Sequence, residues 1–157
     1  MQPDAQRDVY FDHAATTPVD FRVVDAILPY FAERFGNPSS QVHSKGVEAN
    51  QALDQSRATV ARLINAHAET IIFTSGATEA NNLAIRGYLE ANQERGKHLI
   101  ISEIEHYSVI NLCLKLKREG YDLTLLPVDE QGLVHPDKLF AAVRRDTALI
   151  SIQHASS

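Results

Sequence analysis

The sequence has one cysteine, Cys113, and no tryptophan among its 157 residues. A single thiol cannot form an intramolecular disulfide, and the seven histidines are not clustered around it. Structural zinc sites need several cysteine or histidine ligands at short, regular spacings. We therefore expect neither a disulfide framework nor a metal site.

Positive charge is also scarce. The chain has 15 lysines and arginines against 20 aspartates and glutamates, which gives a formal net charge of −5. The basic residues are scattered, whereas proteins that bind nucleic acid usually present a basic face to the phosphates. The charge pattern argues against a nucleic-acid partner.

Long apolar runs are missing as well. The first residues, MQPDAQRDVYFDH, lack the basic start and apolar segment of a signal peptide. No run approaches the roughly 20 apolar residues that cross a bilayer as a helix. We expect a cytoplasmic protein that makes no membrane contact.

Apolar residues are nevertheless plentiful: 44% of the chain is hydrophobic, which is enough to build a core. No internal repeat, low-complexity tract or Gly/Ser linker divides the sequence. We interpret it as one unit, with an extended segment at 1–20 followed by part of a larger α/β domain over 21–157.

The first half of the chain is predicted to be mainly helical. Asp20 can cap a helix over 21–35. Pro29 should bend that helix and Gly36 should end it. Over 46–66, apolar residues recur at helical spacing beside a polar face, which is typical of a surface helix with one buried side.

Strands and helices then alternate. The run TIIFT at 70–74 is short, β-branched and apolar, as expected of a strand buried on both faces. The later elements are predicted in this order: a helix over 78–94, a strand over 98–102, a helix over 107–120, a strand over 122–128, a helix over 135–145 and a strand over 147–153. This alternation predicts right-handed crossovers and a mainly parallel α/β sheet with flanking helices.

Ligands of such sheets bind at the carboxyl ends of the strands. The last predicted strand is followed by only the residues HASS. We therefore expect the chain to be truncated.

The stretch FTSGATEANN, residues 73–82, joins the predicted strand TIIFT to the next helix. Gly76 permits a tight turn there, and a helix start offers unpaired N–H groups at the positive end of the helix dipole. The small Ala77 and the hydroxyl of Thr78 would leave these groups accessible to a phosphate monoester. The stretch therefore predicts an anion site.

A helix start without a ligand is the alternative. Ser75 or Thr78 could cap the helix, and Glu79 could stabilise its first turn. The segment lacks both the P-loop lysine and the Rossmann glycine pattern. The residues alone leave both interpretations open.

Five motifs together carry a resemblance. They are YFDHAATTP at 10–18, FGNPSSQVHSKG at 35–46, FTSGATEANNLAI at 73–85, EHYSV at 105–109 and SIQHASS at 151–157. In order and approximate spacing they resemble the amino-terminal part of the cysteine desulfurases, pyridoxal-phosphate enzymes of the class V aminotransferase group. The resemblance runs from about Val9 to Ser157 and implies part of the large domain of the fold type I architecture.

The resemblance implies roles for individual residues. Ala77 and Thr78 would hold the phosphate of pyridoxal 5'-phosphate. His106 would stack on its pyridine ring and assist proton transfers, which suits a flat group that titrates near neutrality. Without the resemblance, His106 is interpreted as a helix-entry residue rather than a catalytic one. Three further residues would meet the substrate: Ala14, Ala15 and Thr16.

One position departs from the family pattern. Where the first asparagine of the family's HxNN loop bonds the cofactor's ring hydroxyl oxygen, this chain has Ser156, followed by Ser157. A serine hydroxyl is shorter and has one donor rather than two. Ser156 is a candidate cofactor contact that would be weaker, rearranged or water-mediated.

Other functional residues of the family lie outside the matched motifs: the aspartate that pairs with the pyridine nitrogen, the cofactor lysine in a Ser/Thr-x-His-Lys setting, and the sulfur-accepting cysteine. Lys45 belongs to the early family loop and is predicted to be a solvated helix-start residue. Cys113 is predicted to lie on a buried apolar helix face, whereas a sulfur-accepting thiol needs exposure and a lowered pKa. Asn37 and His43 are candidates near the active site and dimer contact. We expect this chain alone to be inactive.

As a function, the resemblance implies removal of sulfur from L-cysteine, giving L-alanine and an enzyme persulfide for iron–sulfur cluster assembly or another thiolation. It also implies a homodimer when complete, and a sulfur-acceptor or scaffold protein as partner. Two alternatives remain. One is a selenocysteine lyase or other class V lyase, and the other is a non-catalytic or split-gene subunit that completes another chain's site.

Overall fold

The computed structural model describes residues 9–155. Contacts divide this part of the chain into two units between Ile72 and Phe73. Residues 9–72 are called the amino-terminal unit and residues 73–155 the carboxyl-terminal unit. The expected division into a segment at 1–20 and a domain over 21–157 stays a prediction. None of the helices within 9–155 is long and apolar enough to span a membrane.

The amino-terminal unit contains three α-helices: α1 Phe21–Ile27, α2 Pro29–Ala32 and α3 Ser44–Leu63. The side chain of Asp20 accepts the amide of Arg22 at 2.9 Å, so the predicted cap is confirmed. The helix breaks at Leu28 because Pro29 has no N–H to continue the ladder. The second piece ends at Ala32, three residues before the end at 35 that the stop at Gly36 predicted.

The loop between α2 and α3 folds tightly onto the start of α3. A Cβ atom at Gly36 would overlap the carbonyl of Lys45, and one at Gly46 would overlap the carbonyl of Ser40. Close backbone approach of this kind accepts only glycine.

The carboxyl-terminal unit alternates helices with strands: α4 Ala77–Ala91, β1 His98–Ser102, α5 Tyr107–Arg118, β2 Asp122–Leu126, α6 Pro136–Ala142 and β3 Thr147–Ser151. Short 3-10 turns lie at Gln93–Arg95 in this unit and at Ala68–Thr70 in the amino-terminal unit. The strands form a parallel sheet in the order β2-β1-β3, which confirms the predicted α/β architecture. Each later helix ends two or three residues before its predicted end.

The predicted strand at 70–74 is wrong. Thr70 ends a 3-10 turn, residues 71–74 are not part of the sheet, and Ile72 is 67% exposed. A β-branched, apolar run has the propensity for extended backbone, but a strand also needs a neighbour that shares its backbone hydrogen bonds. Within residues 9–155 the sheet contains three strands, and this segment is not one of them.

The core of the carboxyl-terminal unit lies between the sheet and two helices. All five residues of β1 are buried, because β2 and β3 flank it on both sides. The core cluster takes residues from α4, β1, α5 and β3: Ile85, Leu89, Leu99, Ile101, Val109, Leu112, Cys113, Leu116 and Ala148. This packing fixes the carboxyl end of β1, and with it the start of α5.

Candidate active site at two helix starts

The start of α4 exposes backbone donors. Gly76 occupies the cap position and no side chain caps this helix. The amide of Ala80 makes the first helical bond, to the carbonyl of Gly76 at 3.1 Å. The amides of Ala77, Thr78 and Glu79 therefore lack partners within the helix, and all three residues are exposed. Such a start can receive an anion.

The expected tight turn at Gly76 is wrong. Its φ of 163° is extended backbone that any residue adopts, and a Cβ there would meet nothing within 4 Å. The proposed caps Ser75 and Thr78 do not cap either, because Ser75 precedes the cap position and Thr78 follows it. Neither the backbone conformation nor the space around Gly76 requires a glycine at this position.

Glu79 is turned back onto the segment before the helix. Its Oε2 accepts the hydroxyl of Ser75 at 2.6 Å and the amide of Ser75 at 2.7 Å. These two bonds, the hydroxyl bond first, lower the pKa of the Glu79 carboxyl below its ordinary value. The expectation that this acid stabilises the first turn is consistent with the contact.

His106 begins α5. It is the cap residue, and its Nδ1 lies 3.1 Å from the amide of Ser108 and 2.8 Å from the Ser108 hydroxyl. The ring is exposed, directly after the loop that follows β1. The helix-entry interpretation is therefore confirmed, and a catalytic role remains compatible with the exposed ring.

The two helix starts share one end of the unit. Asn81 Nδ2 on α4 donates to Ser108 Oγ on α5 at 2.8 Å. Farther along both helices, Arg86 Nη2 lies 3.1 Å from Glu119 Oε2, at the end of α5. The helices therefore run side by side in the same direction. Their starts lie at the carboxyl end of β1, where parallel α/β sheets bind ligands.

The loop before His106 is hydrogen-bonded to the segment that follows β3. Glu105, which is 7% exposed, accepts the hydroxyl of Ser102 at 2.7 Å and the amide of Gln153 at 2.6 Å. The Gln153 side chain donates to the carbonyl of Ile104 at 2.6 Å. A cleft of about 430 Å³ beside this loop is lined by residues that include His106 and Gln153. The loop is thus held from both strand ends.

The predicted site residues fall into three groups. Ala77, Thr78 and His106 lie at the same end of the carboxyl-terminal unit. Three others belong to the amino-terminal unit and form an exposed turn: Ala14, Ala15 and Thr16. In that turn the hydroxyl of Tyr10 donates to the carbonyl of Asp12 at 2.8 Å. Ser156 lies outside the described residues.

Residues of the early loop have structural roles. Asn37 Oδ1 accepts the amide of Ser39 at 2.9 Å, and His43 caps α3 by accepting the amide of Gly46 at 3.1 Å. Lys45 lies in the first turn of α3, as predicted, although its ammonium donates to the carbonyl of Glu33 at 2.8 Å rather than only to solvent. None of these contacts requires a ligand.

Cys113 is fully buried in the core cluster. Burial raises the pKa of its thiol to about 11. A thiol in this state is a poor nucleophile, as the sequence predicted.

Sequence reasoning missed Asn81, Ser108, Glu105 and Gln153. Ser108 had a local signal, because it lies two residues after a histidine at a predicted helix start. The other contacts join residues 27 to 49 positions apart, and no local pattern encodes such pairs.

The chain is similar to known proteins in both sequence and fold. Residues 9–157 match the family model described as Aminotransferase class-V. Cysteine desulfurase IscS 1 of Archaeoglobus fulgidus is 49% identical over 148 residues, which cover 94% of this chain and 38% of that relative. A solved NifS-like protein has a TM-score of 0.86 and 37% identity, covering 92% of this chain and 39% of its own. The structure described as SspA in complex with cysteine has a TM-score of 0.86 and 39% identity. The match covers 94% of this chain and 42% of that one. The chain thus spans about two fifths of the length of these relatives.

Proposed function

Because the chain belongs to the class V aminotransferase family, we propose that it forms the amino-terminal part of a pyridoxal-phosphate-dependent cysteine desulfurase. The complete enzyme would remove sulfur from L-cysteine, giving L-alanine and an enzyme persulfide. We include in the proposal a homodimer, a cytoplasmic location, and a sulfur-acceptor or scaffold protein of iron–sulfur assembly. The cysteine desulfurase relatives favour this activity over a selenocysteine lyase or a non-catalytic subunit.

The observation that carries the proposal is the exposed, uncapped start of α4 beside His106. Phosphate monoesters bind well to free helix amides because the donors converge and the dipole is positive there. The amides of Ala77 and Thr78, with the Thr78 hydroxyl, would hold the cofactor phosphate. The residues present fit this group.

When bound, pyridoxal phosphate would supply an electron sink for bond cleavage at the substrate. His106 would lie against its ring and hold or release a proton at Nε2, the nitrogen that makes no contact with Ser108. Ala14, Ala15 and Thr16 would contact the substrate, and Ser156 the ring hydroxyl oxygen. Glu105 and Gln153 would keep the His106 loop in place.

The 157-residue chain alone is proposed to be inactive. It contains no Ser/Thr-x-His-Lys motif, Lys45 is held by the carbonyl of Glu33, and its one cysteine is buried. The chain would need the remaining part of the enzyme to turn over L-cysteine.

Cofactor binding is tested by titrating the protein with pyridoxal phosphate and with pyridoxal, which lacks the phosphate, while amide NMR shifts are followed. We expect pyridoxal phosphate to shift the amides of Ala77 and Thr78 and to bind at least about tenfold more tightly than pyridoxal. Thr78→Val should weaken binding, whereas the control Thr70→Val should not. Equal affinity for both compounds, or unchanged amides at the start of α4, would refute the phosphate site.

Activity is tested in a chimera. This chain replaces the matching part of the Archaeoglobus fulgidus cysteine desulfurase, and formation of L-alanine from L-cysteine is measured. The chimera should be active, and His106→Gln should reduce its kcat by about two orders of magnitude or more, the usual contribution of an acid–base residue. A fully active His106→Gln chimera would remove His106 from the mechanism.

A further inference from the structure

Two hydrogen bonds reach the same ring nitrogen of His106. The backbone amide of Ser108 lies 3.1 Å from Nδ1, and the Ser108 hydroxyl oxygen lies 2.8 Å from it. A backbone N–H can only donate, so Nδ1 must accept. A neutral ring then carries its proton on Nε2. The local geometry selects one of the two neutral tautomers.

The direction of the hydroxyl bond is set from the neighbouring helix. Asn81 Nδ2 donates to Ser108 Oγ at 2.8 Å. Because the serine oxygen accepts this hydrogen bond from the Asn81 side chain, the serine's own single proton is available for donation to His106 Nδ1. Ser108 is 8% exposed, so water competes little for either bond. The two hydrogen bonds therefore run in one direction, from α4 to α5. Asn81 donates to Ser108, and Ser108 donates to His106.

We propose that Asn81 and Ser108 are positioning residues that hold His106 as its Nε2–H tautomer and fix the ring at the carboxyl end of β1. The inference rests on the proposed function, because a fixed tautomer matters to the reaction only if His106 acts on a bound cofactor. Neither residue has to touch the cofactor. A ring with Nδ1 already engaged exchanges protons through Nε2 alone, which makes its orientation decisive for proton transfer.

The tautomer is measured directly, without cofactor or substrate, by ¹⁵N–¹H correlation spectra of the protein labelled with ¹⁵N-histidine. The pH is kept where the ring is neutral, and His106→Gln identifies the resonances. We expect the wild-type ring to show an unprotonated Nδ1 and a protonated Nε2. Circular dichroism confirms that each variant remains folded.

Ser108→Ala keeps the backbone amide but removes the hydroxyl. The ratio of the Nε2–H to the Nδ1–H tautomer should therefore fall about fivefold, which corresponds to one hydrogen bond of ordinary strength. Ser108→Thr keeps the hydroxyl and should restore the ratio. This rescue separates a positioning role from a general packing effect.

Asn81→Asp is the matched variant on α4. A carboxylate of the same shape accepts from Ser108 instead of donating to it, so the serine proton is drawn away from His106 and the ratio should fall as in Ser108→Ala. Asn82→Asp adds the same charge to the same helix, but Asn82 donates to the carbonyl of Thr78. This control should leave the ratio unchanged.

The results separate this inference from the proposed function. A wild-type ratio in both Ser108→Ala and Asn81→Asp would overturn the positioning role, even in a protein that binds pyridoxal phosphate. A failure to bind pyridoxal phosphate would instead overturn the proposed function, and the tautomer spectra would still report the hydrogen bonds.

Discussion

The Nδ1 atom of His98 lies 2.8 Å from Oγ1 of Thr147, so an imidazole in the central strand is bonded directly to β3. Its Nε2 lies 2.8 Å from Oγ1 of Thr124 in β2. His98 is fully buried, and one ring therefore links all three strands of the sheet. Threonine hydroxyls can donate or accept, so the neutral ring is satisfied on both sides.

The fold should lose stability in mild acid because of His98. Burial first, and the nearby Arg144 charge second, lower the pKa of His98 below its ordinary value of 6.5. As the pH falls below 6.5, the unfolded chain binds a proton that the folded state resists, so the free energy of unfolding decreases, by at most about 1.4 kcal/mol per pH unit. The stabilisation that comes from the neutral His98 ring is fully present at pH values above 6.5.

Urea unfolding at a series of pH values measures the effect. His98→Gln should flatten the pH dependence below 6.5. His154→Gln, which removes an exposed histidine of the same unit, should not. The same slope in His98→Gln and wild type would contradict the assignment.

Cys113 should be inert until the protein unfolds. Its burial and its pKa of about 11 leave almost no accessible thiolate at pH 8. We expect a thiol reagent to label it only after denaturant is added. Cys113→Ser should cost about 1–3 kcal/mol of unfolding free energy, because it places a hydroxyl in an apolar core. Rapid labelling of the native protein would show that the helix face opens.

Glu105 should stabilise the carboxyl-terminal unit through its acceptor oxygen. Glu105→Ala leaves the amide of Gln153 and the hydroxyl of Ser102 without this acceptor and should cost about 2–4 kcal/mol. Glu105→Gln keeps an oxygen in that place and should cost less than half as much. Denaturant midpoints distinguish the two. Equal losses would mean that the charge, not the acceptor geometry, is what matters.

Two glycine substitutions should act in opposite directions. Gly46→Ala should destabilise the protein by more than about 2 kcal/mol, because its Cβ would overlap the carbonyl of Ser40. Gly87→Ala should stabilise it by about 0.5–1 kcal/mol, because Gly87 lies inside α4 with open space around it. Thermal unfolding measures both. A destabilising Gly87→Ala would indicate a close contact that the structure lacks.

Sequence patterns located the regular elements of the carboxyl-terminal unit well because each carries a local signal. The β1 run HLIIS has an apolar centre, Leu99 to Ile101, and matches the observed strand residue for residue, since a central strand is buried on both faces. The run TIIFT also has an apolar centre between polar ends and is not a strand, because pairing depends on a neighbour that composition does not reveal. Helix ends were placed late where the final turn unwinds.

The candidate site was predictable only in part, for a similar reason. Thr78 and His106 were found through motifs next to helix starts. Asn81 was not, because its partner Ser108 is distant in sequence. The contacts that orient the site residues are tertiary, and a single sequence does not display them.

Two side-chain bonds between α4 and α5 oppose sliding of one helix along the other. Asn81 bonds Ser108 near the starts of the helices, and Arg86 bonds Glu119 at the end of α5. If α4 changed register by one residue, each side chain would be displaced by about 1.5 Å along the axis and about 100° around it. Such a change would break both bonds together. The position of α4 along its axis is therefore held by α5. An anion that bound at Thr78 would meet a helix start that is already fixed in place.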